Sequence, residues 1–316
     1  MLEIKNISKI YKVGTFGNKE LHAVRNVNFN VKNGEIVSLI GESGSGKSTI
    51  GKMILRLTDI TSGQINFNGV DISTFKGAAL KDYYRKVQGV FQDPFSSYNP
   101  IFKADRIFNI IHEEFFPDMS GSDWETKLNE SLGCVGLNPE HVLNKFPHQL
   151  SGGQLQRFLI ARALLLETDF IVADEIISML DASTRIDVLN LLAELKSFGF
   201  SVLFITHDLS LGYYISERAV ILYRGCVVEM GKTDKIFNNP IHPYTQALMS
   251  SVPRLDKHWE EGSGGDLCTR ESMGIQLGCS YYGRCKSAIH EKCECIAPEL
   301  VEVEEDHLVA CHLNSK

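Results

Sequence analysis

Short apolar runs alternate with longer stretches of helical periodicity along most of the chain. EIVSLI (35–40) is nearly continuous in apolar residues, the pattern of a strand buried on both faces of a parallel sheet, and FIVA (170–173), SVLFIT (201–206) and AVILY (219–223) repeat it. Helix-length segments separate them. In KSTIGKMILRL, Ile50, Met53, Ile54 and Leu57 recur at helical spacing, and RIDVLNLLAELKSFG lies between two of the strands. Strand and helix in alternation predict an α/β fold. From about Asp93 to Glu167 the pattern changes: Trp124, Leu128 and Leu132 share one helical face and β-branched runs are few, which predicts a helical insertion over about 93–166. After Tyr223, Arg224 and Gly225 followed by CVVEMG predict a hairpin that closes a main domain over 1–240. The polar, glycine-rich DKHWEEGSGGD (256–266) reads as a linker or mobile loop within a C-terminal extension, 241–316, and EVEED (302–306) as a solvated acidic face.

Composition adds limits. A chain of 316 residues, 43% hydrophobic and 22% charged, can bury a substantial core, and its length suits one large domain with a small appendage. No run approaches the roughly 18–20 consecutive apolar residues that cross a bilayer, and MLEIKNISKIY lacks the features of a secretory signal, so a cytosolic protein is expected. A net charge of −7 and a pI near 5.8 offer no global attraction for nucleic-acid phosphates, so no nucleic-acid partner is expected. Of eight cysteines, Cys134 and Cys226 stand alone, while Cys268, Cys279, Cys285, Cys293, Cys295 and Cys311 crowd the end of the chain. In a reducing cytosol such crowding points to metal more than to disulfides.

The chemistry begins directly after the first buried run. GESGSGKS (41–48) fits a phosphate-binding loop, in which Gly41, Ser43, Gly44, Ser45 and Gly46 let backbone N–H groups converge on phosphate oxygens. Lys47 is placed to reach the β- and γ-phosphates and Ser48 to ligate Mg²⁺, with Thr49 following at the start of a helix whose dipole favours an anion. FIVADE (170–175) ends a buried strand in two acids: Asp174 for Mg²⁺, through water, and Glu175 as the general base on the attacking water. His207 ends SVLFIT at the edge where ligands of such sheets bind, and suits a sensor of the γ-phosphate. Gln92, in VFQDPFSSYNP, can contact both Mg²⁺ and that water. Tyr11 reads either as a platform for adenine or as an ordinary aromatic at a strand end.

At LSGGQ (150–154) these pieces become specific, because a phosphate loop, this pentapeptide and FIVADE in that order resemble the nucleotide-binding domain of ABC transporters over roughly residues 1–240. Tyr11, GESGSGKS, Gln92, LSGGQLQR, FIVADE, SMLD (178–181) and His207 resemble the family's aromatic, Walker A, Q-loop, signature, Walker B, D-loop and H-loop elements. The resemblance implies a P-loop, RecA-like α/β core with a helical signature subdomain. It also implies ATP hydrolysis with Mg²⁺ and a head-to-tail partnership with a second ATPase subunit, identical or paralogous. Ser151, Gly152, Gly153 and Gln154 of one chain, with Asp181, would then complete the ATP site of the other, Ser151 capping the helix and the glycines exposing N–H groups. Membrane-embedded permease subunits, and indirectly a substrate-binding protein, are the implied partners, which places the chain peripherally at the inner face of the cell membrane.

Within that family, GESGSGKST, FQDPFSSYNP and NNPIHPYTQALMSSVP followed by a cysteine tail resemble the ATPases of dipeptide and oligopeptide importers, a subfamily that also moves nickel and oligosaccharides. DEIISMLD departs from the family, which usually carries proline and threonine where this chain has Ile176 and Ile177. In the tail, Cys279, Cys285, Cys293 and Cys311 (C-x₅-C-x₇-C-x₁₇-C) form a four-thiol set without the C-x₂-C knuckles typical of zinc, and GCSYYGRC resembles importer tails that carry a [4Fe-4S] cluster. A small cysteine-rich C-terminal domain is therefore expected, holding that cluster or, alternatively, zinc. Cys293 rather than Cys295 keeps the family's distance to Pro298, which leaves Cys268 and Cys295 as bystanders. Other classes fit less well. A soluble ABC ATPase of DNA repair or translation usually has tandem domains or a coiled-coil insertion, a kinase or GTPase has no use for LSGGQ, and Glu175 with His207 argues against a purely regulatory module.

Overall fold

The computed structural model describes residues 1–14, 19–251 and 277–314, so the expected linker at 256–266 and Cys268 lie outside the described residues. The chain forms two compact units, each assembled from discontinuous segments: Met1–Asn30, Val37–Gly69 and Thr206–Lys316 make the first, Val31–Ile36 and Val70–Ile205 the second.

In the first unit, strands Leu2–Val13 and Lys19–Val31 belong with Ser62–Phe67 to one sheet, in which Leu2 pairs with Phe67 and Ile4 with Ile65 in antiparallel register. The apolar run predicted from Glu35 becomes the strand Ile36–Ile40, with every residue buried, and it runs parallel to Arg218–Tyr223, with Leu39 against Val220 and Ile40 against Ile221. Full burial on both faces is why neither strand alternates in sequence. The predicted hairpin is present: Tyr223 pairs with Cys226 across Arg224 and Gly225, whose φ angles of 45° and 82° give the left-handed pair that matches strand twist. The helix after the phosphate loop spans Lys47–Ile54 and buries Ile50, Met53 and Ile54; it stops before Leu57, which is exposed, so the fourth position of the predicted apolar stripe is not part of it.

Among the described residues the expected C-terminal domain does not stand as a compact unit by itself, since Thr206–Lys316 groups with the first unit. Strand His307–Val309 pairs antiparallel with Cys226–Lys232, and Val301–Glu304 pairs in turn with His307–Val309, so the tail extends a sheet of the first unit. EVEED is thus a strand end and a turn, with its acids still facing solvent. Cys279, Tyr281 and Cys293 are buried with Ile221, Tyr223, Ile236 and Tyr244 in one apolar cluster. A tail too small to bury a core of its own shares that of the larger unit.

In the second unit three parallel strands, Val87–Phe91, Phe170–Asp174 and Ser201–Thr206, lie side by side in that order. Between residues 93 and 166 the α-helices are Arg106–Phe115, Gly121–Cys134, Pro139–Val142 and Gly152–Leu165, joined by turns and loops. Phe108 packs on Phe158 with ring centroids 5.1 Å apart, and Trp124, Leu128 and Leu132 are buried together on their helix as the spacing requires. Among the described residues no helix is long and apolar enough to cross a membrane.

Candidate active site

In the first unit, Gly41–Gly46 turns from the Ile36–Ile40 strand into the Lys47–Ile54 helix. Gly46 sits at the N-cap with φ 102°, and a Cβ there would stand 2.4 Å from the Ala23 carbonyl oxygen, so only glycine fits. The hairpin turn braces the loop, since Gly225 N–H donates to Ser45 O at 2.9 Å. Ser43 and Gly44 form the exposed crest, whereas Lys47 is buried and its Nζ donates to the carbonyls of Gly41 (2.8 Å) and Glu42 (3.0 Å). Ser45 Oγ is buried with no hydrogen-bond partner among the described residues, a hydroxyl suited to a ligand oxygen. Ser48 and Thr49 are half-buried in the first helical turn. Tyr11 lies in strand Leu2–Val13, half-buried, with Lys9 Nζ 5.0 Å from its ring. His207 is exposed at the end of SVLFIT, and the next residue, Asp208, caps the helix Leu209–Ile215 through the N–H groups of Ser210 and Leu211.

In the second unit the strand register gathers three predicted residues. Phe91 pairs with Asp174, so Gln92 follows at the carboxyl edge where Asp174 and Glu175 emerge. Asp174 is buried and Gln92 exposed. Glu175 has φ 50°, unusual for a non-glycine residue; its N–H donates to Ile205 O at 3.0 Å, and its carbonyl accepts from both N–H and Oγ of Ser178. The unusual pair Ile176 and Ile177 is buried beneath this turn, so apolar packing accounts for it.

The signature residues begin a helix. Ser151 is the N-cap of Gly152–Leu165: its Oγ accepts from Gln154 N–H at 3.2 Å, while Gln154 Oε1 accepts from Ser151 N–H at 2.8 Å. Gly152 and Gly153 fill the first turn, where N–H groups lack intrahelical partners. Asp181 has a capping task of its own. Its carboxylate accepts from Thr184 N–H and from the hydroxyls of Ser183 and Thr184 at the head of Ala182–Ser197, which holds its pKa well below the usual carboxylate range.

Sequence reading missed a second layer around the phosphate loop. Glu42 N–H donates to Tyr244 Oη at 3.0 Å, and Arg284 Nη1 lies 2.9 and 3.1 Å from the two carboxylate oxygens of Glu42. Tyr244 packs on Tyr223 (4.5 Å) and Tyr281 (5.5 Å). Beside them, fully buried Glu229 accepts from Ile241 N–H, His242 N–H and His307 Nε2, tying the strand, the turn and the tail together. Burial lowers the His242 pKa to about 4, and its Nδ1 caps the helix Pro243–Ser250.

The four predicted tail thiols, Cys279, Cys285, Cys293 and Cys311, line one small cavity together with Tyr281 and His312. Among the described residues, however, no group of three or more His, Cys, Asp or Glu side chains is arranged to hold a metal ion. Burial pushes the Cys279 thiol up to about 11 and raises those of Cys285 and Cys311. Four thiols on one cavity are a donor set that fits a thiolate centre. Cys134 and Cys295 are exposed.

This is the frame of an ATP-binding cassette. Residues 24–178 match the ABC transporter family and residues 228–293 match the oligopeptide/dipeptide transporter C-terminal region. Oligopeptide transport ATP-binding protein OppF of Streptococcus mutans is 44% identical over 257 residues, covering 81% of this chain and 82% of that protein. AppF of Bacillus subtilis, also an oligopeptide transport ATP-binding protein, is 40% identical over 326 residues, 100% of this chain and 98% of its own. Among solved structures, the dimeric post-hydrolysis ATP-binding cassette MJ0796 bound to ADP and Pi matches with a TM-score of 0.66 and 33% identity, covering 74% of this chain and 99% of that one. The chain belongs to the ABC transporter family of ATP-binding proteins, and its enzymatic activity is ATP hydrolysis.

Proposed function

We propose that this protein is the ATPase subunit of an importer of dipeptides or oligopeptides. The observation that carries the reading is the match of residues 228–293 to the oligopeptide/dipeptide transporter C-terminal region, following a cassette with all its motifs in order. Lys47 and the loop N–H groups hold the β- and γ-phosphates. Ser48, Gln92 and Asp174 would hold Mg²⁺, which neutralises phosphate charge when bound. Glu175 takes a proton from the attacking water, and His207 orients that water and senses the γ-phosphate. Tyr11 stacks on adenine. Ser151, Gly152, Gly153 and Gln154 serve the ATP bound by a second ATPase subunit, so that two chains close on two nucleotides. The dimeric state of the MJ0796 cassette supports this arrangement. Opening and closing act on permease subunits, holding the protein peripherally at the inner face of the membrane, and the energy available to them is the difference in nucleotide affinity between the two states.

The experiment is co-purification with the membrane subunits, reconstitution, and ATPase assays with binding protein and peptides, oligosaccharides or nickel. Stimulation by peptides is expected; stimulation by nickel or sugars alone would overturn the cargo.

A second reading concerns the tail, supported by the gathering of four thiols on one cavity. Cys279, Cys285, Cys293 and Cys311 hold a [4Fe-4S] cluster in preference to zinc, and the centre orders the tail rather than carrying electrons. Anaerobic purification with iron, sulfide and zinc analysis decides: about four irons per chain is the expected result, and a metal-free or zinc-loaded protein overturns it.

A further inference from the structure

Glu42 is the only acidic residue between Gly41 and Ser48, and it stands where a triphosphate would bring several negative charges. Left alone, its carboxylate would oppose the ligand that the loop exists to bind. The structure supplies a counter-charge from the far end of the chain. Arg284 Nη1 reaches both carboxylate oxygens, and the guanidinium is itself placed against the rings of Tyr223 (5.9 Å) and Tyr281 (5.8 Å). The backbone of the same residue is fixed separately, by the Glu42 N–H bond to Tyr244 Oη. Tyr244 is fully buried, its ring is wedged between Tyr223 and Tyr281, and its own N–H is bonded to His242 Nδ1, so the hydroxyl has little freedom to follow the loop.

We infer that Arg284 and Tyr244 are positioning residues of the nucleotide site: together they clamp Glu42, one cancelling its charge and the other holding its backbone, and so set the phosphate loop for ATP. The clamp belongs to the C-terminal region. Arg284 lies in a short 3₁₀ turn (Tyr282–Arg284) immediately before Cys285, so order in the cysteine segment is order in the clamp. The pair is partly exposed, with side chains 33% and 42% accessible, so its role is in tuning affinity rather than in holding the fold.

The inference rests on the reading that the 41–48 loop binds the phosphates of ATP, and Lys47→Ala tests that reading separately. The measurement is ATP affinity by displacement of a fluorescent analogue from the full chain, together with steady-state ATPase kinetics and a melting curve. Arg284→Gln is expected to raise the Kd and KM for ATP about three- to fivefold while kcat changes less than about twofold, the size of an exposed ion pair expressed in binding. In a Glu42→Gln background the same substitution should have no further effect, because the charge it neutralises is gone. Arg284→Lys, which keeps the charge, should recover most of the affinity. An unchanged Kd in Arg284→Gln, or an equal rise in both backgrounds, overturns the inference. If Arg284→Gln does not fold, Tyr244→Phe carries the test: a Kd raised about two- to fivefold supports the clamp and an unchanged one overturns it. Full ATP affinity in Lys47→Ala would instead sink the loop reading itself.

Discussion

Glu175 occupies the left-handed region of backbone space, and a long side chain there costs on the order of 1–3 kcal/mol unless its surroundings hold it. Ile205 O and Ser178 do the holding, which aims the carboxylate from a fixed turn rather than from a flexible strand end. Glu175→Gln keeps that shape and removes the proposed base, so ATP binding should persist while kcat falls about 10²- to 10⁴-fold; single-turnover hydrolysis alongside nucleotide binding checks it, and normal hydrolysis would reject the assignment. Gly46 makes the complementary case, where a single methyl group is too much. Gly46→Ala would drive Cβ into the Ala23 carbonyl at a φ that disfavours side chains, with an expected loss of about 3 kcal/mol by urea unfolding. Phosphate loops, acidic strand ends and LSGGQ are local patterns, which is why the sequence alone offers candidates for the site. Glu42 is not among them. In sequence it is one acid among small residues, and its meaning comes from Arg284, 242 positions away.

Elements were readable in proportion to how completely they are buried. Phe170–Asp174 and Ser201–Thr206 are wholly buried, and their apolar runs announced them; the tail strands Val301–Glu304 and His307–Val309 are too short to show any period. The resemblance at LSGGQ implied a helix capped by Ser151, and Ser151 is the N-cap of Gly152–Leu165. Ser151→Ala should cost about 1 kcal/mol of stability in urea unfolding, as loss of a hydroxyl N-cap does. The helix Pro243–Ser250 is capped less conventionally, by neutral His242, whose folded pKa of about 4 lies below the ordinary histidine value of 6.5. The unfolded chain therefore binds the proton first: this contribution is intact above pH 6.5 and is lost as pH falls from 6.5 toward 4. On that basis wild type should lose about 2 kcal/mol more stability between pH 7.5 and 5 than His242→Asn, whose amide can still accept from Tyr244 N–H. Equal pH slopes in chemical denaturation would contradict the assignment.

Across the whole molecule, one compact unit is built from both ends of the chain. The crowding of cysteines suggests a small C-terminal domain. The structure instead places Cys279, Tyr281 and Cys293 against Tyr223 and Tyr244, contacts that no local pattern encodes. A chain ending at Ser251 would lose those partners and leave Cys226–Lys232 without its tail neighbour, an open apolar edge. Such a truncation should melt at lower temperature and self-associate on size-exclusion chromatography, whereas a truly separate tail could be removed without either effect.

That same tail contact sets a timetable for biosynthesis. The phosphate loop is among the first segments to leave the ribosome, yet Gly225, Tyr244 and Arg284, which brace it, come from the last third of the chain. At about 5–20 residues per second, the loop waits roughly ten to fifty seconds for its supports. A nascent chain is thus kept from binding ATP in its finished geometry until translation is nearly over, and a message cut short yields a cassette with its phosphate loop unbraced.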